Sequence, residues 1–354
     1  MKTLQQMLDR ILPLSEKEME AAGRRLDSLT KPPGSLGRLE EIGRQLAGIA
    51  GMDVLLGEEP PFERKAVIVM AGDHGVCEEG VSAFPAEVTP QMVRNILNGG
   101  AAVNVLARQA GAEVVCVDIG VDAELDDPRL VSRKIRRGTG NIARGPAMTR
   151  EEAERAVLAG CEVVADLAER GVRLFATGEM GIGNTTPSAA LLTVLGGIGL
   201  GQSVGRGTGI DDARWLHKQE IIRRAIETNR PDADDPLDVL AKLGGLEIAG
   251  LVGVILGAAA HRCPVVIDGF ISSAAALVAV KLCPGAAAYL LASHLSGEQG
   301  HRLLLETLHL SPLLHAQMRL GEGTGAVLCF PIMEAAVAVM REMATFESAG
   351  VSGQ

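Results

Sequence analysis

Val172-Arg-Leu-Phe-Ala-Thr177 is an apolar run that passes directly into Gly178-Glu-Met-Gly-Ile-Gly-Asn-Thr-Thr-Pro187 and then into a segment of small residues. A buried strand that enters a helix through glycines and hydroxyls presents free backbone N–H groups at the positive end of a helix dipole, which suits an anion. Thr186 is the expected N-cap and Pro187 the expected first helical residue. The stretch is either an anion cradle or a glycine-rich β-α turn that holds nothing.

The same strand-to-helix form recurs on both sides of it. Ala66-Val-Ile-Val-Met-Ala71 is uninterrupted and apolar, as a parallel strand covered on both faces must be, and it ends in Gly72-Asp-His-Gly75. A helix follows from Val88 to about Gln109, then a strand at Glu113-Val-Val-Cys-Val-Asp118, and Thr149-Arg-Glu-Glu152 caps a helix to Arg170. Downstream come a helix from Pro187 to about Leu195, a charged helix from Asp211 to Asn229 and an acidic, exposed connection at Pro231-Asp-Ala-Asp-Asp-Pro236. A buried helix from Gly250 to Ala260, a strand at Pro264–Asp268, a helix from Ile271 to Leu282 and a strand from Ala286 to Ala292 complete the series. Ser296 caps the next helix, and the last runs from about Pro331 to Phe346.

This alternation predicts an α/β fold with an open, doubly wound, mainly parallel sheet, in which ligands bind beyond the carboxyl ends of the strands. Five polar clusters meet that condition: Asp73-His74, Asp118, Glu179, Asp268 and His294. Ahead of the first strand, the capping box Ser15-Glu-Lys-Glu18 opens a helix to about Leu29, and a second helix covers roughly Arg38 to Ala50. They form a helical preface to the main domain.

Composition narrows the function. Aromatic residues are only 2% of the chain while glycines number 43, so the core must rest on aliphatic side chains and closely approaching backbones. A net charge of −10 argues against nucleic acid and anionic membranes, which need a basic footprint, and for a small substrate. The apolar stretch Ile248 to Ala260 is too short to span a bilayer. The first ten residues mix charges with apolar residues and lack a secretory core, which places the protein in the cytoplasm. Six cysteines lie far apart with no C-x-x-C, and the histidines show no metal-ligand spacing, so neither a metal nor a disulfide framework is expected.

No G-x-G-x-x-G or Walker A pattern is present, which counts against dinucleotide and P-loop nucleotide binding. Gly201-Gln-Ser-Val-Gly205 matches a hydrolase nucleophile elbow, with Ser203 as nucleophile, but a helix end precedes it where a strand is needed. Asp268 is either a ligand residue at the sheet edge or a helix cap, and His74 either catalytic or a satisfied strand-end residue. Glu322 lies between glycines behind Leu320. It is either an exposed loop acid or a partly desolvated carboxylate with a raised pKa, able to accept a proton near neutrality.

Several stretches in series carry a resemblance. They are Leu29-Thr-Lys-Pro-Pro-Gly-Ser-Leu-Gly-Arg-Leu-Glu40, Asp73-His-Gly-Val76, Gly178 through Pro187, Leu240-Ala-Lys-Leu-Gly-Gly245, Asp268-Gly-Phe270, Ser293-His-Leu-Ser296 and Met318-Arg-Leu-Gly-Glu-Gly-Thr-Gly325. In order and over nearly the whole chain, they resemble the nicotinate-nucleotide:dimethylbenzimidazole phosphoribosyltransferase family. The resemblance implies transfer of 5-phosphoribose from nicotinate mononucleotide to 5,6-dimethylbenzimidazole, giving α-ribazole 5′-phosphate and nicotinate for the lower ligand of cobalamin. It implies a homodimer, with a Rossmann-like large domain over about residues 60–330. Residues 1–50 and about 331–354 would form a small helical domain.

By the same resemblance Glu322 is the general base, and Glu179 is a second functional acid. Met180, Gly181, Ile182, Gly183, Asn184, Thr185 and Thr186 form the phosphate and ribose loop, with Lys218 and Asp268 as further nucleotide-site residues. Phe84, Met92, Met180 and Leu320 are candidates to enclose the flat base. Many family members carry Gln at the position aligned with Met92, and Gln91 stands beside it here, so either residue is a candidate contact to the base. A single in-line displacement needs no metal, no cofactor and no covalent enzyme intermediate. The competing possibilities are a serine hydrolase using Ser203 and a non-catalytic nucleotide-binding protein.

Overall fold

A computed structural model describes residues 3–352 except 208 and 210. Among these, six parallel strands form one sheet: β1 (Lys65–Gly72), β2 (Glu113–Gly120), β3 (Val131–Ser132), β4 (Leu174–Met180), β5 (Val265–Ile267) and β6 (Leu290–Ala292). Their order is β3-β2-β1-β4-β5-β6, the doubly wound arrangement. The chain runs outward from β1 to β3 and then returns to place β4 on the other side of β1. The order reverses between β1 and β4, so a crevice opens at their carboxyl ends.

Every residue of β1 is buried, and its side chains divide by the two-residue period of a strand. Ala66, Ile68 and Met70 join the core under Arg150–Glu169, Thr185–Gly196 and Leu246–Ala260. Val67, Val69 and Ala71 join the opposite core under Arg38–Ala50, Ala102–Ala110 and Phe330–Glu342. Full burial of one such aliphatic side chain stabilises by about 1.5–3 kcal/mol, so this central strand anchors both layers. The helices Arg150–Glu169 and Leu246–Ala260 meet backbone to backbone at Gly160 and Gly253, as a core with few aromatics requires.

Helices from the two ends of the chain pack on one another. Phe330–Glu342 lies on Arg38–Ala50 and Glu16–Ser28, and Leu29 bridges Thr345. They share the second core with the sheet. The run Thr324–Glu342 is long and apolar enough to cross a membrane by length and composition, but 56% of it is buried in the fold. Core packing explains its hydrophobicity.

Several elements differ from the sequence-based expectations. The helix expected from Val88 to Gln109 is two, Val88–Leu97 and Ala102–Ala110, broken at Asn98-Gly99-Gly100, where Gly99 has φ of 77°. Ala286 to Ala292 is only a strand over Leu290–Ala292, because Pro284–Tyr289 forms a 3-10 turn. Ser296 does not cap a helix; that helix begins at His301, and the Ser296 hydroxyl accepts from Glu298 N in the preceding turn.

Candidate active site

Strand β4 carries the site's first acid inside the sheet rather than in the loop after it. Gly178, Glu179 and Met180 all pair with β1, and Glu179 is 7% exposed. The next helix, Thr185–Gly196, starts earlier than expected and has Asn184, not Thr186, in the N-cap position. Asn184 makes no capping bond, and its Nδ2 donates to Glu179 Oε2. Thr186 is fully buried, and its hydroxyl has no partner among the described residues.

A cavity of about 690 Å³ opens at this edge, over the crevice between β1 and β4. Its wall includes Glu179, Met180, Gly181, Ile182, Gly183, Asn184 and Thr185, together with Phe84, Met92, Leu320 and Glu322. Phe84 and Leu320 are more than half exposed, so they form an apolar rim. Gln91 is exposed and lies outside the wall. Lys218 stands behind the wall, almost fully buried, and its Nζ donates to Thr185 Oγ1 over 2.6 Å. Burial lowers the Lys218 pKa to about 8, against the opposing pull of Glu298 and Cys77. The start of the Thr185–Gly196 helix thus combines a dipole, a hydroxyl and a nearby ammonium. The dipole alone favours an anion by roughly 0.3–2 kcal/mol.

Asp268 does not line the cavity. It is 2% exposed and takes backbone N–H donors from Gly323 (3.1 Å), Gly325 (2.8 Å) and Ala326 (3.0 Å). Burial raises its pKa to about 6, although those N–H groups favour the charged form. The turn it grips brings Glu322 to the cavity wall. Gly321, Glu322 and Gly323 have φ of 85°, 63° and 92°, and a non-glycine residue in this left-handed region costs on the order of 1–3 kcal/mol.

Glu322 is 5% exposed, so the reading of it as an exposed loop acid is set aside. Burial raises its pKa, the Val103 N–H near the start of Ala102–Ala110 lowers it, and the charge of Asp268 raises it again. Its Oε2 has no partner among the described residues. Burial also raises Glu179, to about 8. Asn184 and the Glu322 N–H oppose that rise, while Glu247 and Asp268 add to it. The cavity therefore holds two carboxyl groups whose pKa burial raises, a pattern associated with proton transfer.

The strand-end clusters Asp118 and Asp73-His74 lie outside the cavity wall and make contacts within the fold. Asp118 accepts from Val121 N and pairs with Lys134 at 3.1 Å. Asp73 Oδ2 accepts from Asp122 N, and His74 pairs with Glu247 at 2.7 Å, so His74 is a satisfied buried residue. Ser203 ends a four-residue helix, fully buried, with its hydroxyl bonded to the Ile198 and Gly199 carbonyls. That arrangement is no nucleophile elbow, and the hydrolase possibility falls. Among the described residues no group of three or more His, Cys, Asp or Glu could hold a metal ion.

Sequence reasoning did not assign Ser296, Glu298 or Arg319 to the site, and all three line the cavity. The signal for Arg319 was its place three residues before Glu322 in the same turn. Ser296 closes the family-like stretch Ser293-His-Leu-Ser296, and Glu298 had no signal beyond its nearness to His294, which also lines the wall.

A Phosphoribosyltransferase family model matches residues 11–351. The nicotinate-nucleotide–dimethylbenzimidazole phosphoribosyltransferase of Desulforamulus reducens is 55% identical over 354 residues, covering 99% of both chains. That of Geobacter sulfurreducens is 52% identical over 353 residues, again covering 99% of each. A crystal structure of the Thermus thermophilus enzyme of the same name matches with a TM-score of 0.90 at 46% identity. It covers 96% of this chain and 100% of that one. With a family model along almost its entire length and close relatives of one name, the chain belongs to the nicotinate-nucleotide–dimethylbenzimidazole phosphoribosyltransferase family.

Proposed function

We propose that this enzyme transfers 5-phosphoribose from nicotinate mononucleotide to 5,6-dimethylbenzimidazole, releasing nicotinate and α-ribazole 5′-phosphate for the lower ligand of cobalamin. The observation that carries the proposal is the placement of buried Glu322 across one cavity from the Gly181–Thr185 turn. One side can take a proton while the other holds an anion.

In this scheme the phosphate lies at the start of the Thr185–Gly196 helix, with Thr185 and Lys218 on it. The flat base lies against Phe84, Met92, Met180 and Leu320. The lone pair of one ring nitrogen attacks the anomeric carbon, and the glycosidic bond breaks with its electrons returning to the nicotinate nitrogen. Glu322 takes the proton from the other ring nitrogen, which leaves the alkylated benzimidazole neutral. Attack opposite the leaving group converts the β bond into an α bond. Glu179 is positioned beside this centre and, with a pKa near 8, is largely protonated at pH 7.

The enzyme acts as a homodimer in this scheme, which light scattering of the purified chain tests. Mixing the enzyme with nicotinate mononucleotide and 5,6-dimethylbenzimidazole should release nicotinate in step with α-ribazole 5′-phosphate. Binding of the mononucleotide with no nicotinate release for any base offered would replace transfer with nucleotide binding alone.

A further inference from the structure

We infer that Asp268 is the positioning residue of the proton acceptor: it acts on the reaction through Glu322 by fixing the turn that carries it. The inference rests on the reading of Glu322 as general base. Three separate N–H groups on one side of that turn, those of Gly323, Gly325 and Ala326, converge on the two Asp268 oxygens within 3.1 Å. The turn they hold has three successive left-handed residues, with Glu322 in the middle. Such a backbone persists only where its surroundings over-determine it. On the other side the Thr324 hydroxyl donates to the Gly321 carbonyl at 2.8 Å. Asp268 itself is buried and absent from the cavity wall, so substrate is out of its reach.

An amide at Asp268 would present N–H to N–H at one of these contacts, and the turn would lose its grip there. The Asp268 charge also bears on Glu322 directly and favours its protonated form. The other titratable and charged groups that line the cavity with Glu322 are Glu179 from β4, His294 and Glu298 beyond β6, and Arg319 on its own turn. Helix Ala102–Ala110 faces it with the Val103 N–H.

The test is a double-mutant cycle of Asp268→Asn and Glu322→Gln, followed by nicotinate release across pH. Asp268→Asn should lower kcat at least about tenfold, and by no more than the ~10²–10⁴ of a lost base, with KM for the mononucleotide nearly unchanged. The acid limb of kcat should move to lower pH. In the Glu322→Gln background the same change should cost little more, because the group it positions is gone. Asp268→Glu keeps the charge, and should lower kcat without moving the limb and without a further cost in that background. Equal losses in both backgrounds, or an unmoved limb in folded Asp268→Asn, would overturn the inference. So would failure of both Asp268 variants to fold, since the residue would then serve the fold as a whole. Normal turnover by Glu322→Gln alone would instead sink the base assignment.

Discussion

Gly178 in β4 lies directly against the backbone of Glu322: a Cβ at position 178 would fall on the Glu322 carbonyl oxygen. The sheet and the turn carrying the second acid therefore touch main chain to main chain, about 140 residues apart in sequence. Gly178→Ala should push the turn outward. Overpacking of this kind costs about 1–3 kcal/mol of stability. Turnover should fall at least about tenfold, since sub-ångström placement governs proton transfer. Thermal unfolding and steady-state nicotinate release check this; a stable variant with normal kcat would contradict it.

Lys218 provides a second handle. Its pKa lies near 8, so the free enzyme loses this cation as the pH rises through that value. The specificity constant kcat/KM for nicotinate mononucleotide should fall above about pH 8. In Lys218→Met it should start lower and lose this limb. A variant with an unchanged KM and pH profile would remove Lys218 from the donor site.

Glu179 makes a prediction about stability. An acid whose folded pKa is raised, here from 4.5 to about 8, binds its proton more tightly when folded. The resulting stability is complete below about pH 4.5 and is lost as the pH rises through about 8. Glu179→Gln stays neutral throughout. Its Tm should exceed that of the wild type at pH 9 and match it near pH 5, whatever happens to activity. A variant less stable at pH 9 would show that Glu179 is held charged.

Much of this was legible in the chain. The apolar runs of β1 and β4, in a chain that alternates strands with helices, pointed to a parallel sheet, and the glycines after β4 marked the edge where the cavity opens. Glu322 stood out because glycines flank it. Part of what could not be read was long-range. Asp268 has the look of a ligand residue in sequence, yet its oxygens are occupied by a turn more than fifty residues later. Asn184 could not be identified as an N-cap, because its side chain turns to Glu179 instead of the helix. The Asn98-Gly99-Gly100 break was hidden inside an otherwise helical pattern, where a left-handed glycine overrides propensity.

Acceptor choice separates Met92 from Gln91. Met92 lines the cavity and Gln91 lies outside it. Gln91→Ala should change kcat/KM for 5,6-dimethylbenzimidazole by no more than about twofold, as surface changes do. Met92→Gln should alter the ranking of benzimidazole, phenolic and purine acceptors in competition assays. The opposite pattern would mean that Gln91 reaches the base.

The most direct measurement is single-turnover and steady-state nicotinate release by Glu322→Gln with both substrates saturating. Loss of the general base predicts a drop in kcat of about 10²–10⁴, with the fold and nicotinate mononucleotide binding preserved. Turnover within a few-fold of the wild type in a folded variant would contradict the account.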